Sequence, residues 1–243
     1  LTRRDILSRY KRSVLGVAWT MLNPLGMMLV LTIAFSQVFR FDTELSYPAF
    51  VLSGLIVWNF FTQTTTSAIV NLVWGGGLLH RIYVPRTSFS LSAILTGMLN
   101  LLFALVPLIL VMLITRVPIR PTILLFPIPL FLLACFALGV GLLISTMAVY
   151  FPDVSEMYAI AMLGWMYLTP VIYPEEILPE SYRFWMTHLN PMYYFVKMFR
   201  ELVYQGRLPE SGDLFIAILI ALVALFLGWF VFTRKSGEFA YRV

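Results

Sequence analysis

The chain alternates long apolar stretches with short polar connections, a pattern that predicts helices crossing a membrane. A spanning helix needs about 20 mainly apolar residues, because every backbone polar group in lipid must be hydrogen-bonded internally. The apolar stretches are continuous here, whereas strands of a membrane barrel alternate apolar and polar residues over about 10 positions. Six spans are predicted, at residues 19–39, 48–74, 87–115, 121–150, 157–174 and 213–233.

A helix lying on the bilayer surface is predicted before the first span, at residues 1–18. Its apolar positions recur at helical spacing and are Ile6, Leu7, Tyr10, Val14 and Ala18. Basic residues stand between them, at Arg3, Arg4, Arg9, Lys11 and Arg12. The sequence therefore predicts an all-α integral membrane protein, in one domain covering residues 1–243.

The longest connection, residues 174–212, predicts short helices that do not cross the membrane. Asn190 is a good helix N-cap and Pro191 a good first helical residue, so a helix of about 14 residues begins there. That length is too short to span, which favours an interfacial or re-entrant helix. The stretch SYRFWMTHL before it predicts a second short helix. Pro107, Pro127, Pro129 and Pro170 predict kinks or breaks in the spans.

Composition excludes a soluble domain, since 60% of residues are hydrophobic and 12% charged, against roughly a quarter charged in soluble proteins.

The distribution of Lys and Arg predicts the orientation of the chain in the membrane. Ten lie with the N-terminus and alternate connections and seven on the other side, which places both termini and the loop 75–86 in the cytoplasm. The formal charge of +5 favours contact with anionic lipid. The single cysteine, Cys135, excludes a disulfide framework within the chain.

Neither enzyme chemistry nor ion coupling is indicated by the polar residues. His80 and His188 are predicted on opposite sides of the membrane, and the three glycines at 75–77 lack the Lys-Ser/Thr of a phosphate loop. Ion-coupled transport usually retains an intramembrane charge, and the spans contain none apart from Asp213 at the edge of the last. No catalytic, metal or cofactor residue is predicted. Energy for any transport would come from ATP and Mg on a separate ATPase subunit.

The stretch WGGGLLHRIYVPR, residues 74–86, is the one basic break between Glu44 and Arg116. Its histidine and two arginines are the only Lys, Arg, His, Asp or Glu residues between Glu44 and Arg116: His80, Arg81 and Arg86. The glycines allow the chain to leave the preceding helix. This stretch is therefore the predicted contact for something outside the bilayer.

Aromatic residues, 16% of the chain, cluster in the second and fifth spans. The candidates for a pore lining are Trp58, Phe60, Phe61, Tyr158, Trp165 and Tyr167. Packing and headgroup anchoring explain such rings equally well. A lining of flat amphipathic rings, with the neighbouring Asn59 and threonines as hydrogen-bond partners, suits a polyhydroxyl substrate better than an ion.

Seven motifs occur in order along nearly the whole chain: RYKRSVLGVAWTMLNP (9–24), YPAFVLSGLIVWNFF (47–61), RIYVPRTSFSLS (81–92), VYFPDVSEM (149–157), YLTPVIYP (167–174), NPMYYFVKMFRELVYQG (190–206) and GWFVFTRKSGEFA (228–240). With these motifs the chain resembles the permease subunits of ABC exporters for lipid-linked polysaccharides, the family that serves O-antigen, capsule and teichoic acid chains. Each motif is short and apolar, and the resemblance depends on all seven being in register.

The resemblance implies a homodimer in the bacterial inner membrane, bound to membrane lipids and to two copies of a cytoplasmic nucleotide-binding subunit. The implied substrate is a lipid-linked glycan, with no nucleic acid. A coupling helix at 78–85 and the N-terminal helix would contact the ATPase through Leu79, His80, Arg81, Ile82, Tyr83, Arg86, Arg9 and Arg12. Short outer helices near 178–204 would form an external gate, with Tyr193, Tyr194 and Arg200 as its residues.

Two alternatives remain at the level of sequence. A permease of the same architecture could export a lipid or a drug, because a fold does not determine its cargo. A membrane scaffold that transports nothing, or an intramembrane enzyme, belongs to a different class. Copurification of an ATPase separates transport from this second alternative.

Overall fold

A computed structural model describes residues 18–38, 45–73 and 87–241, and every secondary-structure element in these ranges is helical. Helices occupy each stretch predicted as a span. The long helices are α1 (Ala18–Val38), α2 (Tyr47–Val73), α3 (Thr87–Ile114), α4 (Pro127–Tyr150), α5 (Val154–Leu168) and α8 (Ser211–Lys235), with the short helices α6 (Glu180–Thr187) and α7 (Pro191–Arg200) between the last two. A 3-10 turn, Pro121–Leu125, leads into α4, another forms Glu175–Ile177, and a third, Ser236–Tyr241, follows α8.

Within the described ranges, three helical segments are long and apolar enough to cross a membrane. They are Ser90–Ile114, Pro121–Tyr150 and Ser211–Phe239. The apolar centre of α1, Met21–Ala34, is shorter. The structure therefore confirms an all-helical protein with membrane-spanning helices.

Helix α2 forms the centre of the bundle and packs against α3 and α4, while α8 lies along α4. Most residues of α2 are buried, including the hydroxyls of Thr64 and Thr65. These hydroxyls donate hydrogen bonds to the carbonyl oxygens of Phe60 at 2.6 Å and Phe61 at 2.8 Å. Because the helix itself satisfies them, the polar side chains are tolerated inside the bundle.

Two helices approach each other closely at Gly139 of α4, and its partner is Gly228 of α8. A Cβ on Gly228 would collide with the carbonyl of Gly139, and a Cβ on Gly139 would collide with the backbone of Ala224. Two helices can approach this closely only where both lack side chains at the crossing. Helices α4 and α8 are thus in backbone contact.

The fifth predicted span extended to residue 174, but α5 ends at Leu168. Pro170 has no N–H to donate and disfavours helical geometry in the residue before it. Thr169 accordingly adopts an extended conformation, with φ −100° and ψ 133°. A helix of 15 residues remains, and the chain turns away from it through residues 169–174.

The segment after α5 folds back over one end of the bundle, and residues 169–210 are called the cap below. Helix α6 confirms the prediction from SYRFWMTHL, and α7 begins at Pro191 behind the N-cap Asn190 as predicted. A π-helical turn, Glu201–Gln205, continues α7 and stops at Gly206, which has a φ of +69°. Glycine adopts that left-handed conformation without steric cost. The cap is thus a folded unit with defined helix ends.

Candidate functional site

Arg200, at the end of α7, is a buried cation that attaches the cap to the bundle. Its side chain donates to the carbonyl oxygen of Pro170 at 2.6 Å, to that of Val171, and to that of Phe50 at 3.4 Å. The guanidinium carbon also lies 3.7 Å from the centre of the Phe50 ring. Burial lowers the pKa of Arg200 to about 9, so the group remains a cation at neutral pH.

Gly54 of α2 makes room for this contact. A Cβ at that position would lie 2.5 Å from Nη2 of Arg200 and 2.7 Å from the carbonyl oxygen of Val171. The break at Pro170 leaves backbone carbonyls without helical donors, and each unsatisfied buried carbonyl costs about 1–3 kcal/mol. Arg200 supplies the missing donors, so the break after α5 and the end of α7 are held together by one side chain.

Asn190 makes the second connection between α5 and the cap, using its whole amide. Its Oδ1 accepts from the backbone N–H of Met192 at 3.1 Å and from Nε1 of Trp165 at 2.9 Å. Its Nδ2 donates to Oγ1 of Thr169 at 2.9 Å and to the carbonyl oxygen of Leu168 at 3.3 Å. The residue that caps α7 therefore also fixes the last turn of α5.

Two tyrosines connect the cap to the start of α2. The hydroxyl of Tyr47 donates to the carbonyl oxygen of Ile172 at 2.9 Å. The hydroxyl of Tyr204 accepts from the backbone N–H groups of Leu45 at 3.1 Å and Ser46 at 2.9 Å. Cap, α2 and α5 thus meet in one hydrogen-bonded region.

A charged cluster lies beside Arg200, around Lys197 of α7. Lys197 Nζ is 2.7 Å from Oδ2 of Asp213 in α8 and 4.0 Å from Oε1 of Glu201, and the Tyr193 hydroxyl donates to Oε2 of Glu175. Burial, with the nearby carboxyl of Glu175, raises the pKa of Tyr193, so its hydroxyl stays a donor. The i,i+4 spacing of Lys197 and Glu201 is a sequence signal for that pair. Nothing in the sequence indicates Asp213 as their partner.

The stability of this cluster is expected to depend on pH through Glu201. Burial raises its pKa to about 7, although Lys197 acts in the opposite direction; an unfolded glutamate titrates near 4.3. The protonated form therefore stabilises the folded protein fully below about pH 4.3, and this stabilisation is lost as the pH rises through 7. The midpoint of thermal unfolding in detergent should fall by roughly 5 °C between pH 5 and pH 8.

The variant Glu201→Gln should make that midpoint nearly independent of pH over the same range. Glu180→Gln is the matched control, because Glu180 is exposed at the start of α6. It should retain the wild-type pH dependence. A Glu201→Gln protein that follows the wild-type curve would assign the pH dependence to another group.

The six aromatic residues predicted to line a pore differ in how far their side chains are buried. Trp58, Phe60, Phe61 and Tyr158 are buried inside the bundle, Trp165 is partly buried, and Tyr167 is 53% exposed. Trp165 stands edge-on to two rings, 6.0 Å from Trp58 and 5.6 Å from Phe61 between ring centres. The buried rings thus connect α2 with α5, and Tyr167 presents an open face.

This aromatic cluster continues into the cap. Phe61 stacks on Phe136 of α4 at 5.3 Å, and Phe136 stacks on Phe195 of α7 at 5.2 Å. Of the predicted gate residues, Tyr194 and Arg200 are buried and Tyr193 is partly buried. The rings of Tyr193 and Tyr194 meet edge to face at 5.5 Å. Cap and bundle therefore share one core.

The opposite end of the bundle contains the last residues of α2, which precede the predicted coupling stretch in the chain. Phe239, in the turn after α8, is fully buried and packs edge-on against Phe232 at 5.4 Å. Leu72 of α2 belongs to the same cluster, two residues before Trp74. The coupling residues themselves lie outside the described residues: Leu79, His80, Arg81, Ile82, Tyr83, Arg86, Arg9 and Arg12.

The structure is therefore that of an all-helical membrane protein with a folded cap. The buried Arg200 holds this cap to the bundle near the proline break after α5. The family model of the ABC-2 type transporter matches residues 1–204. The chain belongs to this family.

Several characterised proteins are similar over nearly their whole length. The O-antigen export system permease protein RfbA of Myxococcus xanthus is 29% identical, over 99% of this chain and 92% of the relative. RfbA of Klebsiella pneumoniae is 25% identical over the same shares. The polysialic acid transport protein KpsM of Escherichia coli is 23% identical, over 96% of this chain and 91% of the relative.

Proposed function

We propose that this chain is the transmembrane permease subunit of an ATP-driven exporter, which moves a lipid-linked polysaccharide out of the cytoplasm. The observation that carries the proposal is the similarity, over 96% or more of the chain, to proteins named for O-antigen export and polysialic acid transport. The near absence of charge within the apolar stretches agrees with an energy source on another subunit. ATP and Mg would bind there, and the permease itself would be no enzyme.

In this proposal the chain crosses the bacterial inner membrane six times. Five crossings are made by α1 to α4 and α8; the fifth in chain order is made by the 15-residue α5 together with the non-helical residues that follow it, because α5 alone is shorter than the about 20 residues that a spanning helix needs. The N-terminus, the stretch 74–86 and the C-terminus face the cytoplasm, where Lys and Arg are in excess. The cap then lies on the external side and acts as the gate. Two copies of the permease assemble with two nucleotide-binding subunits, as the resemblance to polysaccharide exporters implies.

The contact with the ATPase is proposed at residues 78–85 and on the amphipathic N-terminal helix. Support comes from the residues that precede this stretch in the chain: Leu72 and Val73, at the end of α2, pack with Phe232 and Phe239. A displacement of the loop would therefore be transmitted to both α2 and α8. The basic residues Arg81 and Arg86 are available in the sequence to meet an acidic partner surface.

The exposed face of Tyr167 is proposed to meet the glycan, since a flat ring with a hydroxyl can stack on a sugar and hydrogen-bond to it. Trp58 and Phe61 are proposed to support α5, the helix that contains Tyr167, through their ring contacts with Trp165. In an export assay, Tyr167→Ala is expected to lower the export rate with little change in thermal stability. Trp58→Ala should lower both, because it empties a buried site.

The test of the function is reconstitution with the candidate ATPase and the host's lipid-linked glycan in sealed vesicles. We expect ATP-dependent appearance of glycan on the far side of the bilayer. Arg81→Glu should abolish that export while the permease remains folded and membrane-bound, because it reverses charge on the proposed contact. Wild-type vesicles that hydrolyse ATP but move no glycan would contradict the proposal, and full export by Arg81→Glu would contradict the contact.

A further inference from the structure

A cavity of about 410 Å³ opens within the cap, beside α7 and the π-helical turn that follows it. This volume lies in the range of small-molecule sites, about 300–1,000 Å³. The polar residues on its walls include Glu175, Tyr193, Lys197, Glu201, Gln205 and Glu210. The cavity is distinct from the aromatic cluster of Trp58, Phe61 and Trp165, none of which lines it.

The walls of this cavity hold one buried acceptor and one buried donor that have no hydrogen-bond partner among the described residues, Oε2 of Glu201 and Nε of Arg200. The cationic groups are largely engaged elsewhere: Lys197 contacts Asp213 at 2.7 Å, and Arg200 donates to three carbonyl oxygens. A buried acceptor without a donor costs about 1–3 kcal/mol, so a ligand that brings donors would remove that cost.

The lining also restricts the charge of the ligand. The carboxylates of Glu175 and Glu210 disfavour an anion, while Lys197 and Arg207 in the same walls disfavour a bare metal cation. A neutral molecule with several hydroxyl groups matches the acceptors without adding charge. The partly buried ring of Tyr193 on one wall offers an apolar face for the C–H side of a sugar ring.

We propose that this cavity binds a neutral sugar unit of the exported polysaccharide, with Glu201 and Glu210 accepting hydrogen bonds from its hydroxyl groups. The inference rests on the proposed function for the identity of the glycan and on the cavity for the site. Bound sugar would contact α7 and the residues 174–176 that follow the break after α5. The cap would thus hold a part of the polymer that has already left the membrane.

The experiment measures binding of a soluble probe, the host polysaccharide released from its lipid carrier by mild acid, to the full-length permease in nanodiscs. At pH 8, where Glu201 is ionised, Glu201→Gln should weaken binding about tenfold or more, because one oxygen of the charged carboxylate is replaced by an amide N–H donor. Glu210→Trp, at an exposed position on the rim, should block the cavity without disturbing the fold. Glu180→Gln, exposed in the cap but outside the cavity, is the matched control and should bind as wild type does.

The same proteins are then compared for ATP-dependent export in vesicles, so that the two proposals can fail separately. If the wild-type protein exports the glycan but Glu201→Gln and Glu210→Trp bind the probe as tightly as wild type does, the sugar site alone is overturned. If both variants weaken probe binding while the wild-type protein exports no glycan, the proposed function is overturned and the sugar site is retained. Should Glu201→Gln fail to fold, Glu210→Trp decides the question.

Discussion

Arg200→Ala is expected to lower the free energy of unfolding by about 3 kcal/mol or more, and to abolish export. The guanidinium serves the carbonyl oxygens of Pro170, Val171 and Phe50, and each buried carbonyl left without a donor costs about 1–3 kcal/mol. Thermal unfolding of the detergent-solubilised permease should show a midpoint at least roughly 6 °C lower. Because the cap loses its attachment to α2, the ATP-dependent delivery assay should also fail.

Arg183→Ala is the matched control for this prediction. Arg183 also donates to two carbonyl oxygens in the cap, of Glu176 at 3.3 Å and Leu178 at 3.2 Å, but it is exposed. Water can replace its hydrogen bonds, so the change should stay within about 0.5 kcal/mol. Arg200→Met, which keeps an apolar chain in the site, separates the loss of donors from the loss of volume. Equal midpoints for Arg200→Ala and Arg183→Ala would disprove the role given to the buried arginine.

Gly228→Ala is expected to cost about 1–3 kcal/mol, although the change adds a single methyl group. That methyl would occupy the position of the Gly139 backbone, so α4 and α8 must separate along their contact, and overpacking of this kind has costs in this range. The unfolding midpoint should decrease by roughly 2–10 °C. Gly139→Ala should act in the same direction, because its Cβ would meet the backbone of Ala224.

Gly164→Ala in α5 is the control, since a Cβ at Gly164 has open space around it. Alanine is favoured over glycine in a helix by about 0.8–1 kcal/mol, so this variant should be unchanged or slightly more stable. The comparison isolates the steric effect from helix propensity. A decrease for Gly164→Ala that equals the decrease for Gly228→Ala would assign the loss to something other than the helix contact.

The positions of the helices could be predicted from the sequence because length and apolarity are local properties. The start of α7 was predictable for the same reason, since Asn190 and Pro191 carry their capping preferences with them. The end of α5 was predicted six residues too late, at 174 instead of Leu168, because apolar residues continue past Pro170. Pro170 predicts a kink or a break, but the sequence does not show that the helix ends there.

The contacts within the cap could not be predicted. Arg200 was a candidate gate residue, but its partners are backbone carbonyls, which carry no residue signature and lie 30 and 150 positions away in the chain. The partner of Gly139 in the close helix contact, Gly228, could not be identified from the sequence, because it lies on a separate helix far along the chain. Residues of the charged cluster are ordinary surface types, and only the fold brings Asp213 to Lys197.

The long sequence separations of the cap contacts determine when this protein can reach its final structure during synthesis. Phe50 and Ser46 emerge from the ribosome about 150 residues before Arg200 and Tyr204, with which they form hydrogen bonds. Until then, α2 is in place while the groups that fix the cap to it do not yet exist, and the carbonyls near Pro170 lack their donor. Closure of this end of the bundle is therefore one of the last steps of membrane insertion. A ribosome that stalls before residue 200 leaves a nascent permease whose cap cannot close.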